Sequence, residues 1–338
     1  MKFSQLGNTG VYVSRIALGT MTFGGSGAPP WNIIGALDVA AADRLVGIAL
    51  DQGVNLVDTA DMYADGEAES MLGEILKSRR DDVLLATKVI GRMGPGPNDA
   101  GLSRLHVTKA LEDSLRRLRT DHIDLYQLHN FDPVTPIAET LSALDDAVRQ
   151  GKVRYIGVSN FAAWQMSQAL GVSDLRNFPR FVASQSYYSL VGRDIEAEIV
   201  PMLTAEQLGL LVYSPLAGGL LSGKFDRSGT TDEDARRAKA AIPPVDVDRA
   251  FDIIDALREI AGRHDATVAQ VALAWVLAKP AVTSVIVGAR RPEQLTGNLG
   301  ALDTELTAQD LEELDGLSRP APTYPGWMQA DLSWRYPA

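Results

Sequence analysis

RLHVTKALEDSLRRLRTDHIDLYQLHNFDPVTPIAETLSALDDAVRQ, residues 104–150, reads as helix, strand, helix. Val107, Leu111, Leu115 and Leu118 recur at spacings of three and four, as do Ile137, Leu141, Leu144 and Val148, which is the helical period. Between them, residues 123–129 (IDLYQLH) form a short, largely apolar run that ends on a histidine. A strand with a helix on either side in sequence is the unit of a parallel β/α architecture.

The same alternation extends outward in both directions. Further short apolar runs lie at 15–19, 55–58, 83–88, 153–159, 181–185, 209–214 and 284–288, which makes eight with 123–129. Residues 41–52 form another amphipathic stretch, with Leu45, Ile48 and Ala49 on one face. Continuous apolar runs suit strands buried on both faces, and eight units fit a closed barrel. The expected fold is therefore α/β: a (β/α)8 TIM barrel with an N-terminal β-hairpin and long loops at its C-terminal face. Residues 1–14 supply the hairpin through the turn signal Gly7–Asn8–Thr9–Gly10, and would plug the bottom of the barrel. The stretch from Tyr213 to Ser284 must hold an extra loop, 215–248, besides a helix. Residues 25–39 exceed the usual βα loop of about two to six residues, as a lid or an insertion. Residues 319–338, rich in Pro and aromatics, read as an ordered tail or flap. With no linker visible, residues 1–338 are expected to form a single domain.

Composition narrows the function. The chain has 338 residues, 46% hydrophobic and 22% charged, enough for a large core. A formal net charge of -11 and the lack of a basic run argue against nucleic-acid and membrane partners. The absence of cysteine removes disulfides, thiolate metal sites and thiol nucleophiles. The four histidines, His106, His122, His129 and His264, have no metal-ligand spacing, so no metal is expected. No signal peptide or transmembrane span is read, which makes a cytoplasmic location the expectation.

Active sites of such barrels lie at the C-terminal ends of the strands. There stand Asp58, Tyr63 five residues on, Lys88, His129, Ser159, Asn160 and Gln185. A lysine after four apolar residues is costly to bury unless paired, and Asp58 on the neighbouring strand is the partner of opposite charge. A nearby ammonium favours a phenolate and so lowers a tyrosine's pKa from about 10. Lys88, held by Asp58, could act so on Tyr63, while His129 orients a carbonyl oxygen. The four make a proton donor to a developing alkoxide. No side chain supplies a hydride, whereas a nicotinamide does.

Singly, each residue also has a plainer explanation. Asp58 could cap a helix, Tyr63 could be a satisfied core aromatic, Lys88 could snorkel and His129 could be structural. His106, His122 and His264 read as packing residues, and Glu67 and Glu69 as complements of a helix dipole. Gly218–Lys224 matches a phosphate-binding loop up to its lysine, but Phe225 follows where Ser or Thr would hold magnesium. Gly24–Gly27 lacks the spacing of a dinucleotide-binding fingerprint.

The sequence closely resembles the aldo-keto reductase superfamily. The likeness rests on LGTMTFG at 18–24, DTADMYADGEAESMLGEIL at 58–76, LLATK at 84–88, IDLYQLHNFD at 123–132, GKVRYIGVSNF at 151–161, YSPLAGGLLSGKF at 213–225 and VGARRPEQLTGN at 287–298. It covers nearly the whole chain and is nearest to the bacterial branch that includes potassium-channel β-subunit-like reductases. The resemblance implies that Tyr63 is the acid, Lys88 its tuner, Asp58 the partner of Lys88 and His129 the carbonyl orienter. It places Gly19, Thr20, Met21 and Asp58 along the nicotinamide side of a cofactor cleft. Ser159, Asn160 and Gln185 would hold the carboxamide and Tyr213 would stack under the ring. Loop 214–225, with Ser214, Pro215, Leu216, Gly218, Gly219 and Lys224, would close over the pyrophosphate. Gly288, Ala289, Arg290, Gln294 and Asn298 would form the adenosine end. It favours NADP(H), whose 2′-phosphate wants a cation such as Arg290 or Arg291.

The pocket walls are expected from Met21, Phe23, Trp31, Asn130, Phe131 and Trp327, with Tyr63 and His129 at the floor. The implied activity is reduction of an aldehyde or ketone, with a small-molecule carbonyl as partner. The alternative is an NADPH-sensing regulatory subunit with little turnover. Substrate, direction and oligomeric state stay open at this level.

Overall fold

The computed structural model describes residues 1–27, 29–230 and 235–329. Strands β1 (Phe3–Gln5) and β2 (Tyr12–Ser14) pair antiparallel as the expected hairpin. Eight parallel strands follow: β3 (Ile16–Gly19), β4 (Leu56–Asp58), β5 (Leu84–Val89), β6 (Ile123–Leu128), β7 (Val153–Ser159), β8 (Phe181–Tyr187), β9 (Gly209–Tyr213) and β10 (Val282–Val287). They pair in sequence order, and β10 closes on β3. Interleaved are α1 (Trp31–Ile34), α2 (Val39–Asp51), α3 (Glu67–Ile75), α4 (Arg104–Leu118), α5 (Ile137–Arg149), α6 (Ala163–Arg176), α7 (Ile199–Ala205), α8 (Arg236–Lys239), α9 (Val247–Arg263), α10 (Val268–Leu277), α11 (Pro292–Leu299), α12 (Ala308–Ser318) and α13 (Gly326–Gln329).

Two buried clusters explain the architecture. The larger one joins the outward faces of the strands to the helices, for example Leu18, Val57, Leu85, Tyr126 and Val158 with Leu45, Leu72, Leu111 and Leu144. The smaller one fills the barrel: Ala17, Leu56, Ala86, Leu125, Ala183, Leu211 and Ile286, with Leu6 and Val13 of the hairpin. The hairpin thus plugs the end where the strands begin. Its Gly7, at φ +54°, lies so close that a Cβ would sit 2.2 Å from Val182 O.

Successive side chains of a strand alternate faces. Two residues beyond the apolar layer, the same strands therefore place Asp58, Lys88, Gln127 and Gln185 on the interior. A polar storey stands on an apolar one, towards the C-terminal ends of the strands.

Two loop expectations change. The stretch from Tyr213 to Ser284 carries two long helices, α9 and α10, rather than one. The apolar period runs almost unbroken through 250–277. The break comes at Asp265, with φ +48°, and at Thr267, whose side chain accepts from Gln270 N and restarts the helix. The two ends of loop 25–39 are tied together by backbone hydrogen bonds from Gly24 N to Leu37 O, Ala36 N to Gly24 O and Leu37 N to Thr22 O. Helix α1 in this loop packs against α8, so the long loops after β3 and β9 meet. In the tail, Trp327 stacks edge-on against Tyr324 and is 54% exposed. The rest of the expected flap, from 330 onward, lies outside the described residues, as do 231–234 of loop 215–248.

Candidate active site

Strands β4, β5 and β6 bring Asp58, Lys88 and His129 together, and the turn after β4 folds Tyr63 back over them. Lys88 is fully buried, and its ammonium donates to Asp58 Oδ2 (2.6 Å), Thr59 O (2.8 Å) and Tyr63 OH (3.2 Å). Asp58, 3% exposed, has its other oxygen occupied as well. Its Oδ1 accepts from Gln185 Nε2 at 2.8 Å and Gln127 Nε2 at 3.1 Å. The Asp58 backbone carbonyl accepts from Thr20 N and Oγ1, which locks β4 to the end of β3. The helix-cap alternative for Asp58 thus does not arise. Tyr63 meets His129 edge-on with ring centroids 5.8 Å apart, and Trp31 on its other side at 6.1 Å.

The electrostatics follow from burial. Desolvation pulls the Lys88 pKa down, but Asp58 and Tyr63 more than offset it, so the ammonium stays charged and above its usual range. Desolvation pushes the Tyr63 phenol up, and Lys88 opposes this only in part. The sequence-based expectation of a lowered phenol pKa is thereby corrected: burial outweighs the ammonium, and the phenol is held protonated. Desolvation, followed by Lys88, brings His129 down to about 3, so its imidazole is neutral. Its Nδ1 is buried without a hydrogen-bond partner among the described residues. A protonated phenol beside a fixed ammonium, with a neutral imidazole alongside, can deliver a proton and steady the charge left behind.

The other expected site residues stand at or beyond the C-terminal ends of the strands. Ser159 is 1% exposed at the end of β7. Asn160, at φ +56°, donates to His129 O (3.0 Å) and accepts from Tyr213 OH (2.8 Å), so it bridges three strand ends. Gln185 points at Asp58 rather than at the mouth. Met21 is half-buried beside Thr22, whose hydroxyl donates to Ala289 O. Beyond β9, Ser214 and Ala217 both take φ +49°, and Gly218 is pressed so close that a Cβ would lie 2.3 Å from Ile242 O. Pro215 is buried, Leu216 half-buried and Lys224 exposed. Phe225 is buried, and 217–222 form a 3-10 turn, not the helix that a phosphate-binding loop would start. Gly219 turns backbone towards open space, and a Cβ at Gly288 would meet only ordinary contacts, with Gly19 O at 3.8 Å. Arg290 N donates to Gln294 Oε1 at 2.9 Å, and Asn298 is half-buried on α11. Helix α11 starts at Arg291 and Pro292 with no side-chain cap.

A sequence model of the aldo/keto reductase family matches residues 15–319. The chain is 39% identical to an uncharacterised oxidoreductase, YrpG, of Bacillus subtilis, over 94% of this chain and 96% of that protein. It is 34% identical to a probable voltage-gated potassium channel subunit beta of Arabidopsis thaliana, over 96% and 99%. It is 31% identical to versiconal hemiacetal acetate reductase of Aspergillus parasiticus, over 96% and 99%. The chain belongs to the aldo/keto reductase family.

In this aldo/keto reductase the aromatic walls differ from expectation. Phe23 is 1% exposed and packs into the core through its bridge to Leu37, so it does not line the mouth. Asn130 spends its side-chain oxygen on Phe131 N (2.9 Å), capping backbone at the loop's start. Phe131 stacks edge-on against Phe161 (5.4 Å) and against Trp164 (6.0 Å), which is 60% exposed. Trp164 was not singled out in the sequence, because helix α6 hides its place at the rim.

Glu67 and Glu69 do stand in the first turn of α3, but they act as specific ligands rather than as dipole charges. Glu67 Oε2 accepts from Gly25 N at 2.7 Å. The fully buried Glu69 accepts from Thr87 Oγ1 at 2.5 Å and pairs with Arg117 at 2.7 Å. Gln127 was missed altogether, although it stands two residues beyond Leu125, as Lys88 does beyond Ala86.

Proposed function

We propose that this aldo/keto reductase reduces the carbonyl of an aldehyde or ketone to an alcohol with NADPH, using Tyr63 as the general acid. The observation that carries the reading is the Asp58–Lys88–Tyr63 chain of hydrogen bonds, buried and aimed at a phenol beside His129. Three ionisable or proton-bearing side chains held in one buried chain are costly to assemble, and the cost is offset where they act together.

The residues at the mouth suit a dinucleotide. Gly219 leaves open backbone surface, Gly288 is exposed, Ser159 offers a buried hydroxyl, and the N-terminal end of α11 favours an anion through its dipole. Gly19, Thr20, Met21, Asp58, Ser159, Asn160, Gln185 and Tyr213 would hold the nicotinamide half. Ser214, Pro215, Leu216, Gly218, Gly219 and Lys224 would hold the pyrophosphate, and Gly288, Ala289, Arg290, Gln294 and Asn298 the adenosine end. The cofactor, when bound, supplies the hydride. His129, neutral and half-buried, donates a hydrogen bond to the carbonyl oxygen and orients it. Tyr63 gives its proton to that oxygen as charge develops, and Lys88 stabilises the resulting phenolate. Asp58 holds Lys88 in place. Trp31 and Phe131, with Trp164, form an apolar rim that excludes water and suits a substrate with a flat or hydrophobic body.

Turnover of NADPH with a panel of activated aldehydes, α-dicarbonyls and keto-sugars tests the reading. Activity that disappears in Tyr63→Phe supports it, and activity that survives overturns it. The likeness to plant channel β subunits favours a second reading, an NADPH-sensing regulatory protein. Tight NADPH binding without turnover on any carbonyl would move the weight there.

A further inference from the structure

Gln127 is buried in the barrel at the level of Lys88. The two are register partners on β5 and β6, and both donate to the same carboxylate. We propose that Gln127 is a positioning residue: its amide occupies Asp58 Oδ1, so that the carboxylate holds Lys88 through Oδ2 alone and leaves one ammonium proton on Tyr63. The proposal rests on the reading of Tyr63 as the acid.

The donor arithmetic carries it. An ammonium has three protons, and Lys88 places them on Asp58 Oδ2, Thr59 O and Tyr63 OH. A buried carboxylate oxygen without a donor would draw the ammonium towards itself, and the longest contact, to Tyr63 at 3.2 Å, would be the first to give way. Two amides now cover Oδ1, from Gln127 and Gln185. If Gln185 turns to a carboxamide in the cofactor cleft, Gln127 remains as the donor.

Its placement is specific. Gly157 stands opposite on β7, where a Cβ would lie 3.3 Å from Gln127 Cγ and 3.1 Å from Ala183 O, so the glycine leaves room for this side chain. The amide orientation is also decided, because turning it over would set its oxygen against Asp58 Oδ1. In the orientation present, Gln127 Oε1 faces Gln185 Nε2 at 3.4 Å.

Gln127→Met keeps the side-chain length and removes the donor. The test places 3-fluorotyrosine, more acidic than tyrosine, at position 63 and follows its titration by fluorine NMR in the ligand-free protein. In Gln127→Met the phenol is expected to titrate at higher pH than with Gln127, because Lys88 is drawn off it. With cofactor and carbonyl substrate, kcat is expected to fall about tenfold with KM for the carbonyl little changed. Gln127→Glu restores the donor only while protonated, so its turnover should gain an ionisation that the parent lacks. This second variant keeps the test decisive if the methionine variant does not fold. An unmoved fluorotyrosine titration with parental kcat in Gln127→Met, or a parental pH profile in Gln127→Glu, overturns the proposal. Full turnover in Tyr63→Phe overturns the acid assignment instead, and the ligand-free titration still judges Gln127.

Discussion

Lys88 and Tyr63 are joined by a hydrogen bond of 3.2 Å between the ammonium and the phenol oxygen, with the lysine nitrogen 4.9 Å from the ring centroid. The contact binds a charge that water cannot reach to a proton that can leave. Both groups are buried, and Lys88 is anchored to β4 twice more through Asp58 Oδ2 and Thr59 O. The phenol therefore meets an ammonium whose position is set by the barrel and not by the ligand.

Tyr63→Phe removes the proton and one hydrogen bond while leaving the ring between Trp31 and His129. Turnover is expected to fall by about 10²- to 10⁴-fold, the range for losing a positioned general acid. NADPH affinity, measured by quenching of protein fluorescence, is expected to stay within about twofold, since uniform binding is untouched. A variant that keeps turnover but binds cofactor poorly would assign Tyr63 to the cleft instead.

Lys88→Met should unfold more easily than the parent in urea, by about 3–5 kcal/mol, because it leaves the Asp58 carboxylate buried and unpaired. The double substitution Asp58→Asn with Lys88→Met removes both charges and is expected to regain much of that loss without regaining turnover. Equal losses in the single and double variants would mean that the pair has no special electrostatic cost.

Two desolvated groups pull the pH dependence of stability in opposite directions. His129 falls from 6.5 to about 3 on folding, so its contribution is present above about 6.5 and is lost as pH drops towards 3. Asp61, fully buried, is raised from 3.8 to about 7 by desolvation and then by Glu69. Its contribution is present below about 4 and is lost as pH rises towards 7. Between about pH 4 and 6.5 the two slopes cancel. Relative to the parent, Asp61→Asn should lose stability as pH falls through that window, and His129→Gln should lose it as pH rises, each by up to about 1.4 kcal/mol per pH unit. Chemical denaturation at several pH values reads this directly, and parallel profiles for the two variants would refute it.

Arg290→Ala should weaken NADPH about tenfold or more and NADH much less, since a charge-assisted contact to the 2′-phosphate contributes about 1.5–3 kcal/mol. Competitive titration of both cofactors checks it. Equal losses would remove the arginine from phosphate recognition.

Much of the fold was legible because barrel strands bury both faces and helices repeat at their own period. The eight short runs at 15–19, 55–58 and onward each contain or overlap a strand, with ends shifted by no more than two residues. The site was legible in part. Asp58, Lys88 and His129 are the polar ends of apolar runs, and a polar ending after burial is conspicuous in one dimension. Gln127 lies inside such a run, two residues before His129, and reads as an interruption until the period of two is counted from Leu125. Glu69 looked like a dipole charge because its partners, Thr87 and Arg117, come from another strand and another helix.

The chain's order of residues determined the barrel, the hairpin plug and the three ionisable strand ends, since these follow from period, turn chemistry and the cost of burying charge. Only the tertiary structure decided what those groups do to one another. A phenol's acidity is a balance between desolvation and a neighbouring ammonium, and both depend on distances across strands that sequence does not contain. Burial won that balance at Tyr63, turned Phe23 into core, and set Gln127 and Gln185 against the second oxygen of Asp58.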